Sequence, residues 1–318
     1  QEGAEHKVVD RKLLMDVLSQ GEKRALYILN ILFEINARRK QGQETLIIVD
    51  DIADSFDYKN KYAIVEYLKD VSELDGFHCI FLTHNFDFHR TISSRLSISR
   101  ERRLFAFKNG RDIYLKEEKY QANPFEYWKN HLHEGRFAIS SIPFIRNLAE
   151  YCGKKDGYRK LTSLLHLKSD TSGISMQELE SIYSDIIIQP NMTLPDQQKP
   201  VMDVIYELAD AIVQEDDEQA ELESKIILSM AIRLKAETFM IARIANQPFV
   251  DAITKNQTLE LFKEFRTQFP KEKDAVALMG QVNLMTPENI HLNSFMYEPI
   301  LDMSPKHLKK LYANVSAL

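Results

Sequence analysis

The sequence predicts an α/β lobe with a parallel sheet and a terminal hairpin, followed by a mainly α-helical domain. Three observations predict this. Two short apolar runs, Leu46-Ile47-Ile48-Val49 and Cys79-Ile80-Phe81-Leu82-Thr83, read as buried strands of a parallel sheet. Arg103-Leu104-Phe105-Ala106-Phe107-Lys108 and Asp112-Ile113-Tyr114-Leu115 flank Asn109-Gly110, a strong hairpin signal placed to finish that sheet. Beyond Asn123-Pro124 strand patterns almost vanish, and apolar residues recur at spacings of three and four. The boundary therefore falls near residue 125, giving a lobe over 1–125 and a helical domain over 126–318.

The elements follow in order, and several carry chemistry. Ser19 and Gly21 precede Glu22 and a helical stretch over 23–37; a hydroxyl and backbone N–H groups at a helix start form an anion site. The first strand ends at Asp50, where open α/β sheets place their ligands, and a carboxylate there holds Mg²⁺ directly or through water. Asp51, next along, is placed to orient an attacking water. The second strand delivers His84 to the same edge, where it can meet a phosphate or polarise water. In the second half, helices are expected over 142–151, 158–167, 176–188, 201–213, 219–244 and 259–265. Pro143 suits a first helical turn, and Ser175 with Glu178 reads as a capping box. Asp216-Asp217-Glu218 reads as a solvated turn or helix start.

Composition bounds the rest. A chain of 318 residues, 44% hydrophobic and 28% charged, builds a sizeable core without disulfides. Cys79 and Cys152 lie in apolar stretches without metal-like spacing, which fits a reducing, cytoplasmic setting. No apolar stretch reaches about 18 residues, so no membrane partner is expected. The net charge of −6 argues against broad DNA coating but leaves room for local basic patches that grip a tRNA-sized ligand.

The lobe resembles a known family. Leu18-Ser19-Gln20-Gly21-Glu22-Lys23 looks like the signature of an ABC-type ATPase, and Leu46-Ile47-Ile48-Val49-Asp50-Asp51 like its Walker B strand. Ala53-Asp54-Ser55-Phe56-Asp57 sits where that family keeps its D-loop, and Phe81-Leu82-Thr83-His84 where it keeps the switch histidine. No phosphate-cradling G-x-x-x-x-G-K-[ST] occurs in the chain. The resemblance implies ATP and Mg²⁺ as cofactors. It assigns nucleotide binding to Ser19, Gln20, Gly21, Glu22 and Asp57, the metal to Asp50, and catalysis to Asp51 and His84. Asp51 stands where most of the family carry Glu, so slow hydrolysis is implied. It also implies a head-to-head dimer of the SMC/RecF type, each signature serving a second copy's nucleotide. The Walker A lobe is then expected upstream in a longer polypeptide.

In the helical half, Arg233 and Glu237 are four apart on one helix face and His291 follows in a polar stretch. An Arg, a Glu and a His together suit metal-independent RNA cleavage: the His moves a ribose proton and the Arg stabilises phosphate charge. Arg146, Glu150 and His166 form a second such set. Taken by spacing alone, an Arg–Glu pair of this kind is usually a surface salt bridge worth a few tenths of a kcal/mol. The whole chain, however, resembles the C-terminal part of the RloC- and PrrC-type anticodon nucleases, an ABC head followed by a HEPN-like ribonuclease domain. That resemblance implies an anti-phage enzyme acting on RNA, with tRNA as the expected target, and favours Arg233, Glu237 and His291. The alternative is a regulatory ABC-type ATPase whose helical domain docks a separate effector.

Overall fold

The computed structural model describes residues 16–52, 58–109, 111–119, 124–187, 192–215, 222–286 and 304–318. The chain divides into two compact units, one holding residues 1–105 and 116–118, the other 106–115 and 119–318.

In the first unit, helix α1 (Gln20–Lys40) is opened by a full capping box. Strand β1 (Thr45–Asp50) follows, then α2 (Tyr58–Ser72), β2 (Phe77–Leu82) and α3 (Phe86–Arg95). β1 and β2 pair in parallel, with Ile48 opposite Ile80 and Asp50 opposite Leu82. This is the parallel arrangement expected from the two apolar runs. One face of the pair packs into two small clusters: Val49, Val65, Leu68, Phe88 and Ile92 in the first, Ile35, Val71 and Phe77 in the second. The other face is bare: Leu46, Ile48, Ile80 and Leu82 are between 45% and 60% exposed. A parallel sheet is normally covered on both faces.

Strands β3 (Leu104–Asn109) and β4 (Asp112–Glu117) form a hairpin at the expected place. The expectation that it finishes the parallel sheet is corrected: β3 and β4 make a two-stranded sheet of their own. The reason lies in what each pair can offer. β4 is exposed at all six positions, so no packed face draws it onto β1 or β2.

The second unit is helical. Among the described residues its helices are α4 (Pro124–Asn130), α5 (Gly135–Ser140), α6 (Ile142–Tyr151), α7 (Lys155–Ser163), α8 (Met176–Ile186), α9 (Val201–Gln214), α10 (Leu222–Ile244), α11 (Gln247–Ala252), α12 (Gln257–Gln268), α13 (Lys273–Met285) and α14 (Pro305–Ser316). α10 lies at the centre, with α5, α9, α12, α13 and α14 packed around it. Most of α10 is buried, every residue from Leu222 to Leu234 among them, including Ile226, Ile227, Leu228, Ala231, Ile232 and Leu234. An apolar run on every side of a helix demands neighbours on every side, and this run therefore sets the layout. Among the described residues no helix is long and apolar enough to cross a membrane.

Two local expectations are corrected. The helix expected over 158–167 ends at Ser163, because the Thr171 hydroxyl donates to the Ser163 carbonyl at 2.7 Å and accepts from the Lys168 N–H at 2.8 Å. His166 therefore sits in a turn. At α8 the Ser175 side chain caps the Glu178 N–H at 3.2 Å, but the Glu178 carboxylate takes Lys160 Nζ at 2.5 Å.

Candidate functional sites

In the first unit the ends of β1 and β2 bring two of the expected residues together. The Asp51 backbone N–H donates to the Leu82 carbonyl at 3.0 Å, continuing the parallel ladder by one step. Asp51 then turns sharply, with φ of 44° in the left-handed region. That turn aims its carboxylate across the strand ends: Asp51 Oδ1 accepts from the His84 N–H at 3.1 Å and lies 2.9 Å from His84 Nδ1. Both side chains remain accessible. Asn85 caps α3 by accepting from the Phe88 N–H at 2.9 Å, and this fixes the chain as it leaves His84. Asp50 is exposed at the last position of β1. One or two strand-end carboxylates, completed by nucleotide phosphates and waters, are the usual protein share of a Mg²⁺ site. Asp50 and Asp51 fit that share.

The signature-like stretch folds as a helix start. Ser19 donates its N–H to Glu22 Oε2 at 2.8 Å and its hydroxyl at 2.7 Å, and the Glu22 N–H donates back to Ser19 Oγ at 3.3 Å. The Ser19 hydroxyl, and with it the Ser19 N–H, holds the Glu22 carboxyl below its usual range. The helix start is thus closed on itself, serine and glutamate each satisfying the other's backbone N–H. Gln20 and Gly21 form the first turn of α1. Asp57 and the rest of the D-loop-like stretch lie outside the described residues.

In the second unit the structure regroups the two expected triads. His166 does not meet Glu150; its Nδ1 lies 2.8 Å from Glu237 Oε1. Glu237 is fully buried and collects three further hydrogen bonds: from the Leu167 N–H at 2.7 Å, Gln257 Nε2 at 2.8 Å and Thr258 Oγ1 at 2.7 Å. Burial by itself pushes this carboxyl up, but His166 and the hydrogen bonds outweigh it and hold Glu237 below the ordinary carboxylate range. Arg233, one turn earlier on α10 and 2% exposed, donates from Nη2 to the Thr286 carbonyl at 2.5 Å. His291 lies outside the described residues.

Arg146 and Glu150 do approach, at 3.5 Å. Arg146 is nonetheless committed to α6 and α7: Nε donates to Thr162 Oγ1 at 3.2 Å, Nη1 to Asn147 Oδ1 at 2.9 Å, and Nη2 to the Tyr158 hydroxyl. Its guanidinium lies over the Tyr158 ring, 4.1 Å from the centroid. The Arg146 set thus lacks His166, which belongs to Glu237.

Gln257 and Thr258 are the partners that sequence spacing missed. A signal existed: a carboxylate on a helix that is apolar all round must be buried, and a buried carboxylate needs donors. Which donors arrive depends on the packing of α12 against α10. Among the described residues no group of three or more His, Cys, Asp or Glu side chains gathers as for a metal ion. Comparison with protein families, with curated proteins and with solved structures gives no match.

Proposed function

We propose that the chain is the distal part of an ABC-type ATPase head joined to a helical ribonuclease domain, acting in the cytoplasm in anti-phage defence. The observation that carries the proposal is the Asp51–His84 bond across the ends of two parallel strands. In this reading Asp50 would hold Mg²⁺ together with the phosphates of ATP, Asp51 would orient the attacking water, and His84, held by Asp51, would meet the γ-phosphate. The bare face of β1 and β2 supports an additional lobe, supplied by the Walker A half of the head.

The helical half supports RNA cleavage through the pairing of His166 with Glu237. A Glu carboxylate on Nδ1 fixes the imidazole and favours Nε2 as the proton acceptor. The base takes the proton of a ribose 2′-hydroxyl, whose oxygen attacks the adjacent phosphorus. The bond to the 5′-oxygen breaks, and that oxygen takes the proton back. The burial of Arg233 and Glu237 favours the second reading, in which the helical domain is a non-catalytic docking module for a separate effector.

Three variants of the complete protein test these readings. Asp51→Asn is expected to bind ATP normally and to hydrolyse it about 10²- to 10⁴-fold more slowly; an unchanged rate in a folded variant removes the ATPase assignment. His166→Gln keeps an N–H for Glu237 but loses the base, so RNA cleavage should vanish while ATPase activity survives. If His291→Ala abolishes cleavage and His166→Gln does not, the histidine assignment moves to His291. Normal cutting by both variants, or no RNA cleavage by the parent, leaves the docking reading.

A further inference from the structure

We propose that His89, Arg100 and Arg103, gathered on Glu118, form a binding site for a phosphate group. All four residues belong to the first unit. Local structure brings them together. His89 lies one turn into α3, its N–H donating to the Asn85 carbonyl at 3.0 Å. The chain after α3 closes a single 3₁₀ turn (Arg100–Arg102), and the Arg103 N–H donates to the Arg100 carbonyl at 3.0 Å. Residues three apart eclipse on such a turn, so Arg100 and Arg103 leave it on the same side. The Glu118 N–H then donates to the Arg103 carbonyl at 2.9 Å, which sets the residue after β4 against the turn.

Glu118 is buried and gathers the cluster. Its Oε2 lies 3.3 Å from Arg103 Nη1 and 3.2 Å from His89 Nε2, and its carbonyl accepts from Arg100 Nε at 2.9 Å. A staple that only closed this corner would match one cation to one carboxylate. Here cations are in excess: Arg100, Arg102 and Arg103 stand against Glu101 and Glu118. Among the described residues the outer nitrogens of Arg100, Arg103 Nη2 and His89 Nδ1 have no hydrogen-bond partner. Arg103 Nε is buried without one as well. Guanidinium donors left unpaired away from water cost free energy, which an arriving anion offsets.

The donor set selects the ligand. Guanidinium forks match the oxygens of a phosphate two at a time. The histidine adds a finer requirement. Its Nε2 faces an ionised carboxylate and carries the proton there, which leaves Nδ1 of the neutral ring as an acceptor. A monohydrogen phosphate supplies a hydroxyl for that acceptor and negative oxygens for the two arginines. A sulfate supplies the oxygens alone. The group is therefore a phosphate with a free hydroxyl, either inorganic phosphate or the terminal phosphate of a nucleotide.

Nuclear magnetic resonance of the full chain, isotope-labelled at histidine, tests the site directly. The His89 ring signals are identified by their absence from His89→Gln. They are followed during titration with inorganic phosphate, with AMP, and with sulfate at matched ionic strength. Inorganic phosphate should move them saturably, with a Kd of about 1 mM or tighter. Arg100→Gln leaves the Arg103–Glu118 pair in place and should weaken binding by about tenfold or more, the loss of one charge-assisted hydrogen bond. Arg103→Lys keeps the charge but loses the fork, and should weaken it by a similar factor. Tighter binding of AMP than of inorganic phosphate places the group on a nucleotide; the reverse makes it free phosphate. Absence of saturation, an equal response to sulfate, or Arg100→Gln binding as the parent does overturns the proposal. No turnover is measured, so the outcome is separate from the fate of the ATPase and nuclease readings.

Discussion

Glu237 has four hydrogen-bond donors around one carboxylate, and every one comes from outside its own helix. Removing it takes an acceptor from His166, the Leu167 N–H and Thr258, and leaves Gln257 Nε2 with the Leu167 carbonyl. Glu237→Ala should therefore destabilise the helical unit by about 3–5 kcal/mol, the range for breaking a buried ionic pair from one side. The urea midpoint measures it, and a loss under 1 kcal/mol would mean the site relaxes or takes in water. The pH dependence has a definite sign. The folded carboxyl titrates below its ordinary value of 4.5, so the unfolded chain takes up the proton first. The stabilisation is fully present above that value and is lost as pH falls through the lower, folded one. Between pH 6 and 3 the parent should lose stability more steeply than Glu237→Gln, and parallel curves would contradict the assignment.

At the scale of one element, helix starts show how a shared motif yields different structures. Ser19 with Glu22 and Ser175 with Glu178 have the same spacing, yet only the first closes as a reciprocal box. Exposed Glu22 folds back on the Ser19 N–H and hydroxyl. Glu178 lies beside Lys160 of the neighbouring α7, and a cation outbids a backbone N–H. Ser175→Ala should cost about 1 kcal/mol through the lost cap alone. Glu178→Gln should change stability by less, because its ion pair is partly solvated. Equal losses in the two variants, read by thermal denaturation, would mean that Glu178 supports the cap after all.

At the scale of the whole molecule the two units are built differently. The helical unit surrounds α10 with one continuous core, whereas the first unit has two small clusters and a parallel sheet bare on one face. Exposed aliphatic side chains in a row mark a surface that meets something. If the Walker A half of an ATPase head covers it, Ile48→Lys in the complete protein should lower ATPase activity at least about tenfold and abolish ATP-dependent dimers in sedimentation. The same change in the 318-residue chain should leave the helical unit's unfolding transition where it was. Full ATPase activity in the variant would show that the face has another use.

The strands, the hairpin and most helices were legible because their cause is local. The β-branched runs at 46–49 and 79–83, the Asn109-Gly110 turn, and the spacing of three and four along 142–151 and 201–213 act through neighbours in the chain. The short helices α4, α5 and α11, and also α3, α13 and α14, were not read, since their stability comes from the elements they touch rather than from a strong pattern of their own. The sequence by itself determined which residues are chemically able: Asp51 and His84 at strand ends, Arg and Glu one turn apart, a histidine among apolar residues. Only the tertiary structure decided the partners. Spacing on one helix places Glu237 near Arg233, but the carboxylate is drawn to His166, Gln257 and Thr258, 71 residues before and 20 and 21 residues after it in the chain. The reason is that a buried charge takes the nearest donors in space, and in a packed core those arrive from other elements.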